Sequence, residues 1–190
     1  MQKTPYAIAA LLVAGTAAAA PVTYEIDPAH TFPSFDADHM GMSTFHGKFN
    51  KNAGKIVLDK AAGSGKVDVT IDAASIDFGY DLMNSKARSA ELFDTAKYPK
   101  AGYSGTLEGF VNGAPTRVAG QLTLHGVTKP VELKILSFKC MPHPMLKHDW
   151  CGADAQATID REAFGISAGK EYGFKMETTL RIQVEAVAQQ

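Results

Sequence analysis

"FKMETTLRIQVEAVA", residues 174–188, decides the fold. Phe174, Met176, Leu180, Ile182, Val184 and Ala186 share one parity, with Thr178 among them. Lys175, Glu177, Arg181, Gln183 and Glu185 hold the other. A β-strand sends successive side chains to opposite faces, so this stretch reads as a strand with one apolar and one wet face. The pattern recurs upstream, with Val67, Val69 and Ile71 set against Asp68, Thr70 and Asp72. Tyr103, Gly105 and Leu107 form another such face, as do Val118, Gly120, Leu122 and Leu124, and then Val131, Leu133 and Ile135. "HGVTKP" between the last two supplies a turn. "GKIVLD" and "STFHGKFN" are shorter strands, the second with Phe45, Gly47 and Phe49 on one side. "TYEIDPAHTFPSFDADH" is broken by Pro28 and Pro33, which predicts a kink or a sheet edge. The expectation is an all-β chain of eight or so antiparallel strands, closed as a barrel or stacked as a sandwich. "MNSKARSAELFDTAKYP", residues 83–99, breaks this rhythm. With Asn84 as N-cap and Pro99 as stop, it predicts a short helix or lid around residues 84–94.

The chain has 190 residues, 45% hydrophobic, with a formal net charge of −1. That is one domain with a sizeable core and no basic footprint for nucleic acid. Residues 1–19 read as a secretory signal peptide: Lys3, an apolar stretch from Tyr6 to Val13, then small residues with Ala17 and Ala19 before the cut. The mature domain is then residues 20–190, its setting periplasmic, and no later window is apolar enough for a membrane-spanning helix. Alternating apolar residues also suit an outer-membrane strand, but the chain ends "AVAQQ" without a terminal aromatic and shows no clear aromatic girdles.

Export bears on "CMPHPMLKHDWC", residues 140–151, which holds both cysteines of the chain. Its C-x2-H…H-x2-C spacing could hold zinc or leave free thiols, but an oxidising compartment pairs two lone cysteines. A Cys140–Cys151 disulfide stapling a loop is expected.

Catalytic signatures are missing. "GYSGT" lacks the spacing of a nucleophile elbow, and "GSGKV" lacks the first glycine and the hydroxyl of a phosphate loop. His30, His39 and His46 are separated by odd numbers of residues, which in regular strands sends neighbours to opposite faces. No catalytic residue, metal or cofactor is assigned. The alternative is an enzyme or a metal or haem site built from His39 and His46, with kinks at Pro33 and Gly41 rescuing the geometry.

Four segments in order resemble the signatures of YceI-like proteins: residues 24–56, "ELFDTAKYP" at 91–99, "VAGQLTLHGVTKPVEL" at 118–133 and "IDREAFGI" at 159–166. The resemblance implies an exported, lipocalin-like antiparallel barrel that holds a long apolar chain, a polyisoprenoid or similar amphiphile, in its lumen. It also favours the disulfide, since a subset of the family carries a cysteine pair before the D-R-x-x-F-G-I run. One departure stands out. Where the family usually has an Arg-Asp-x-His-Leu-like run, this chain has Met83-Asn84-Ser85-Lys86-Ala87.

Candidate ligand contacts follow. Val69, Ile71 and Tyr103 lie on apolar strand faces. Phe35, His39, Met40, Met42, Phe45, Phe49, Met83, Leu92 and Phe93 would form the mouth and upper lumen, where methionine adapts to an irregular tail. Arg88 or Lys86 could meet a polar head. The partner is thus a small amphiphilic lipid, and edge strands near Pro28 and Pro33 leave a homodimer open.

Overall fold

The computed structural model describes residues 20–189. The leader expected over residues 1–19 lies outside the described residues. In chain order the strands are β1 (Val22–Ile26), β2 (Phe32–His39), β3 (Ser43–Phe49), β4 (Asn52–Asp59), β5 (Ser64–Asp72) and β6 (Ile76–Asp77). Helix α1 (Asp81–Arg88) follows, then β7 (Lys100–Glu108), β8 (Arg117–Leu124), β9 (Val127–Pro142), β10 (Asp149–Asp160) and β11 (Glu177–Ala188). Among the described residues no helix is long and apolar enough to cross a membrane.

Eight strands close a ring in the order β1–β4–β5–β7–β8–β9–β10–β11 and back to β1, every pairing antiparallel. The barrel, not the sandwich, is the outcome. β11 forks: Ala186 to Ala188 pair with β1, while Thr178 to Gln183 pair with β2. β2, β3 and β6 therefore peel off the ring as a side flap.

The fork comes from the break after β1. Pro28 cannot donate to a ladder, and the chain steps out over Asp27 to Thr31 before pairing resumes. The step is pinned by Asp27 N–H donating to Glu185 O at 2.9 Å and by Thr31 Oγ1 donating to the same oxygen at 3.1 Å. Pro33 pairs only with Ile182, because β3 begins its ladder at Ser34. Kink and edge were both legible in those two prolines.

Two expectations shift. The helix begins at Asp81 rather than near residue 84, and Asn84 is buried within it instead of capping it. Its Oδ1 accepts from Phe78 N–H at 2.7 Å and its Nδ2 donates to Asp77 Oδ1 at 3.1 Å, fastening the helix to β6. Residues 89–98 continue as turns, closed by Leu92 N–H to Ser89 O and Tyr98 N–H to Asp94 O. Helix and turns plug the gap between flap and ring, where Ala87 packs with Phe35, Phe49 and Ile76.

The disulfide is formed, but across a ladder rather than a loose loop. β9 and β10 run on to Pro142 and Asp149, and Cys140 and Cys151 are directly opposed, with Cα atoms 4.0 Å apart. His143 N–H donates to His148 O at 2.7 Å and closes the hairpin tip.

Candidate functional site

The apolar parity points inward. On β11, Leu180, Ile182, Val184 and Ala186 face the barrel interior, as do Val67, Val69 and Ile71 on β5. Charges face out, the reverse of a membrane-spanning barrel. The interior is not filled. Between Cys151 and Ile159, β10 contributes only Gly152, Ala153 and Ala155 to the wall, and on β8 the residue between Val118 and Leu122 on the same face is Gly120. Such small side chains cannot meet at the barrel axis, and a cavity of about 630 Å³ remains, within the usual 300–1,000 Å³ of a ligand pocket.

The two ends differ. Pro115, Phe138 and Cys151 line the deep end, where no charged side chain stands on the wall. The disulfide joins β9 to β10 at this end. Every charged wall residue, Asp38, Lys86, Glu91, Arg161 and Glu171, belongs to the other end. Lys86, Glu91, Glu171 and Tyr172 are themselves exposed, so the cavity reaches solvent there. Lys86 pairs with Glu91 at this mouth.

An aromatic collar stands below it. Phe35 meets Phe78 edge-on at 5.7 Å and Phe93 at 6.0 Å, and Phe93 meets Phe49 at 5.6 Å. His39 stacks on Phe45 at 4.3 Å and meets Phe174 edge-on at 5.1 Å. Lower down, burial pushes the Tyr103 hydroxyl up to about 12. It donates to Val131 O at 2.8 Å and Val118 O at 3.2 Å, and the ring lies along the wall.

Of the residues singled out in the sequence, Phe35, His39, Phe45, Phe49, Val69, Ile71, Met83, Leu92, Phe93 and Tyr103 stand on this wall. Met40, Met42 and Arg88 do not. Met40 and Met42 belong to the turn joining β2 to β3, which projects past the flap, so they are 48% and 84% exposed. On α1 the inward stripe is Met83, Lys86 and Ala87, an i, i+3, i+4 set, and Arg88 falls off it. Lys86 is the basic residue of α1 that reaches the mouth.

His39 and His46 do not come together. His39 faces the cavity, whereas the His46 side chain is 74% exposed on the outer face, with Nδ1 2.6 Å from Asp36 Oδ1. Arg181 Nε holds the other Asp36 oxygen. Among the described residues, the potential metal-ligating trio is Cys140, Asp149 and Cys151, and both its sulfurs are in the disulfide. The arrangement offers a greasy enclosure with a polar rim.

Absent from the candidate contacts are the residues toward the other end of the wall: Leu107 and Leu133, which the alternation places on apolar faces, and Leu58, Phe138 and the alanines of β10. Their signal was the same parity, carried to the strand ends. The sequence reading also left Thr178 and Arg161 without a role. Thr178 breaks the apolar series of β11, and Arg161 sits in the D-R-x-x-F-G-I run.

A family model described as a YceI-like domain matches residues 24–188. A UPF0312 protein of Pectobacterium carotovorum is 33% identical over 184 residues, covering 96% of this chain and 94% of its own. Among solved structures, BcnA of Burkholderia cenocepacia superposes with a TM-score of 0.68 at 22% identity, over 85% of this chain and 99% of that one. A polyisoprenoid binding domain of Saccharophagus degradans, implicated in plant cell wall breakdown, gives 0.61 at 18% identity, over 88% and 99%. These two share the fold.

Proposed function

The chain belongs to the YceI-like family, and on that footing we propose that it is a non-enzymatic carrier holding a long apolar lipid tail, a polyisoprenoid or similar amphiphile, in its barrel. The observation that carries this reading is the cavity: apolar along most of its length, with its charged wall residues gathered at one end. Burying one CH2 contributes about 0.8 kcal/mol, so a five-carbon unit gives about 4 kcal/mol before losses. Three fully buried units, about 12 kcal/mol, less about 4 kcal/mol for association, would then reach about micromolar affinity. A carrier needs to hold at that strength and still release. The leader read over residues 1–19 supports a periplasmic setting, where such a protein would move a water-insoluble molecule between membranes or enzymes. The polyisoprenoid binding named for the Saccharophagus domain supports the ligand class.

The test is organic extraction of the purified protein followed by mass spectrometry, beside an Ala155→Phe variant. Ala155 is buried and faces the cavity, so a phenyl ring there occupies the space a tail would use. The wild type is expected to release an apolar species, and the variant to fold and release little or none. Repeated wild-type preparations without any apolar molecule, or a variant with an undiminished load, would refute the proposal.

A further inference from the structure

Five large apolar side chains lie exposed on the segments that meet at the mouth. Met40 and Met42 belong to the turn between β2 and β3, Tyr80 and Leu82 to the start of α1, and Tyr172 to the turns before β11. Tyr80, Leu82 and Tyr172 are 64%, 68% and 66% exposed. A single exposed apolar residue needs no explanation, but several gathered at one place mark an interaction surface.

The three segments are neighbours because the rings beneath them touch. His39, just before Met40, meets Phe174 at 5.1 Å, and the Asp38 carboxylate accepts from Lys175 N–H at 3.3 Å. Phe174 N–H donates to Gly169 O at 3.2 Å, closing the turn that carries Tyr172. On its other side His39 stacks on Phe45 at 4.3 Å, and Phe45 meets Phe78 edge-on at 6.4 Å. Phe78 leads through Gly79 to Tyr80 and Leu82. His39, Phe45, Phe78, Met83, Tyr172 and Phe174 all stand on the cavity wall. The exposed residues therefore flank the opening.

Charge says what kind of surface fits here. Over residues 38–43, 78–86 and 169–175, the carboxylates are Asp38, Asp81 and Glu171, and the cations are Lys86, Lys170 and Lys175. The two signs balance. Each lysine already faces a carboxylate: Lys86 has Glu91, Lys170 has Glu162, and Lys175 has Asp38 at 4.0 Å. Attraction to an anionic membrane needs a cluster of unmatched Lys or Arg, and these segments carry none. Met and Leu suit the acyl boundary of a neutral bilayer, and tyrosine suits its interface. A tail leaving the cavity into water would lose the burial that holds it. A bilayer over the mouth removes that barrier. Resting on the carrier reading above, we propose that the mouth docks on a zwitterionic phospholipid bilayer. Met42, Leu82 and their neighbours enter the head-group layer, and a tail passes between bilayer and cavity without crossing water.

Met145 and Leu146 are also exposed, but on the hairpin at the disulfide end, and they supply the control. Flotation with vesicles of phosphatidylcholine, alone or with added phosphatidylglycerol, compares wild type, Met42→Ser/Leu82→Ser and Met145→Ser/Leu146→Ser. Wild type is expected to float equally with both vesicles and to be indifferent to salt. The mouth variant should bind about 10-fold more weakly or worse, the effect of exposing two apolar side chains, and the hairpin variant should match wild type. Decanol binding without vesicles should be the same in all three, since neither Met42 nor Leu82 stands on the cavity wall. Flotation that requires phosphatidylglycerol, is abolished by salt, or falls equally in both variants overturns the docking. So does a wild-type dimer that the mouth variant makes monomeric, which would give this face to a second copy. A wild type that binds decanol but does not float overturns the docking alone. One that floats but binds no decanol overturns the carrier reading, and the proposal with it.

Discussion

Tyr103 lies across Gly120. A Cβ at residue 120 would stand 2.4 Å from the tyrosine hydroxyl oxygen and 2.7 Å from Ser104 O. Only a residue without a side chain lets the ring rest on β8 and reach Val131 O on β9. The largest side chain on this part of the wall is thereby laid flat, and the cavity stays open.

Gly120→Ala is accordingly expected to push the ring inward and break its hydrogen bond. The cost should be about 1–3 kcal/mol, as for other over-packed sites, read as a lower urea midpoint together with a smaller extractable lipid load. A midpoint within error of wild type would mean that the ring has another resting place.

The Cys140–Cys151 bridge closes a short loop between β9 and β10, its cysteines 11 residues apart in sequence. Restricting the unfolded chain by a loop of this size stabilises by about 2–3 kcal/mol. Cys140→Ser/Cys151→Ser should unfold at correspondingly lower urea and lack the sensitivity to reductant expected of wild type. A wild-type urea curve that does not move on adding reductant would count against a staple.

Asp36 joins the flap to the ring. Burial alone would raise its carboxyl, but hydrogen bonds from Arg181 and His46 outweigh this and hold it below the ordinary carboxylate value. A carboxyl depressed by folding stabilises above its unfolded value of 3.8, and that contribution is lost as the pH falls through the lower folded value. Wild type should therefore lose stability on acidification below about pH 4, and Asp36→Asn should lose less over the same interval. The check is urea midpoints from pH 6 to pH 2.5; parallel curves for the two proteins would remove Asp36 from the acid response.

Much of this was legible in the residues. Period two along Leu180, Ile182, Val184 and Ala186 told which face is inside, and Pro28 with Pro33 told where the first strand breaks. What periodicity could not tell was closure, because a barrel and a sandwich share one alternation and differ only in which strands meet. The pairing of Ala186 to Ala188 with β1 is a long-range fact. The helix start was misread because Asn84 has the chemistry of an N-cap, and its amide instead serves Phe78 and Asp77 from inside the helix. Met40 and Met42 were misjudged because a soft apolar residue beside a glycine turn says nothing about which way the turn points.

A carrier of this kind needs an apolar tunnel of finite length, and a chain-length series measures it most directly. Straight-chain alcohols from eight to twenty carbons, titrated into lipid-stripped protein, should bind about 2- to 4-fold more tightly per added CH2, the upper value being full burial. The gain should then stop abruptly when the chain reaches the Cys151 end, and the plateau should come at a shorter length in Ala155→Phe. Affinity that is indifferent to chain length, or that rises without a plateau in both proteins, would contradict a tunnel of that form.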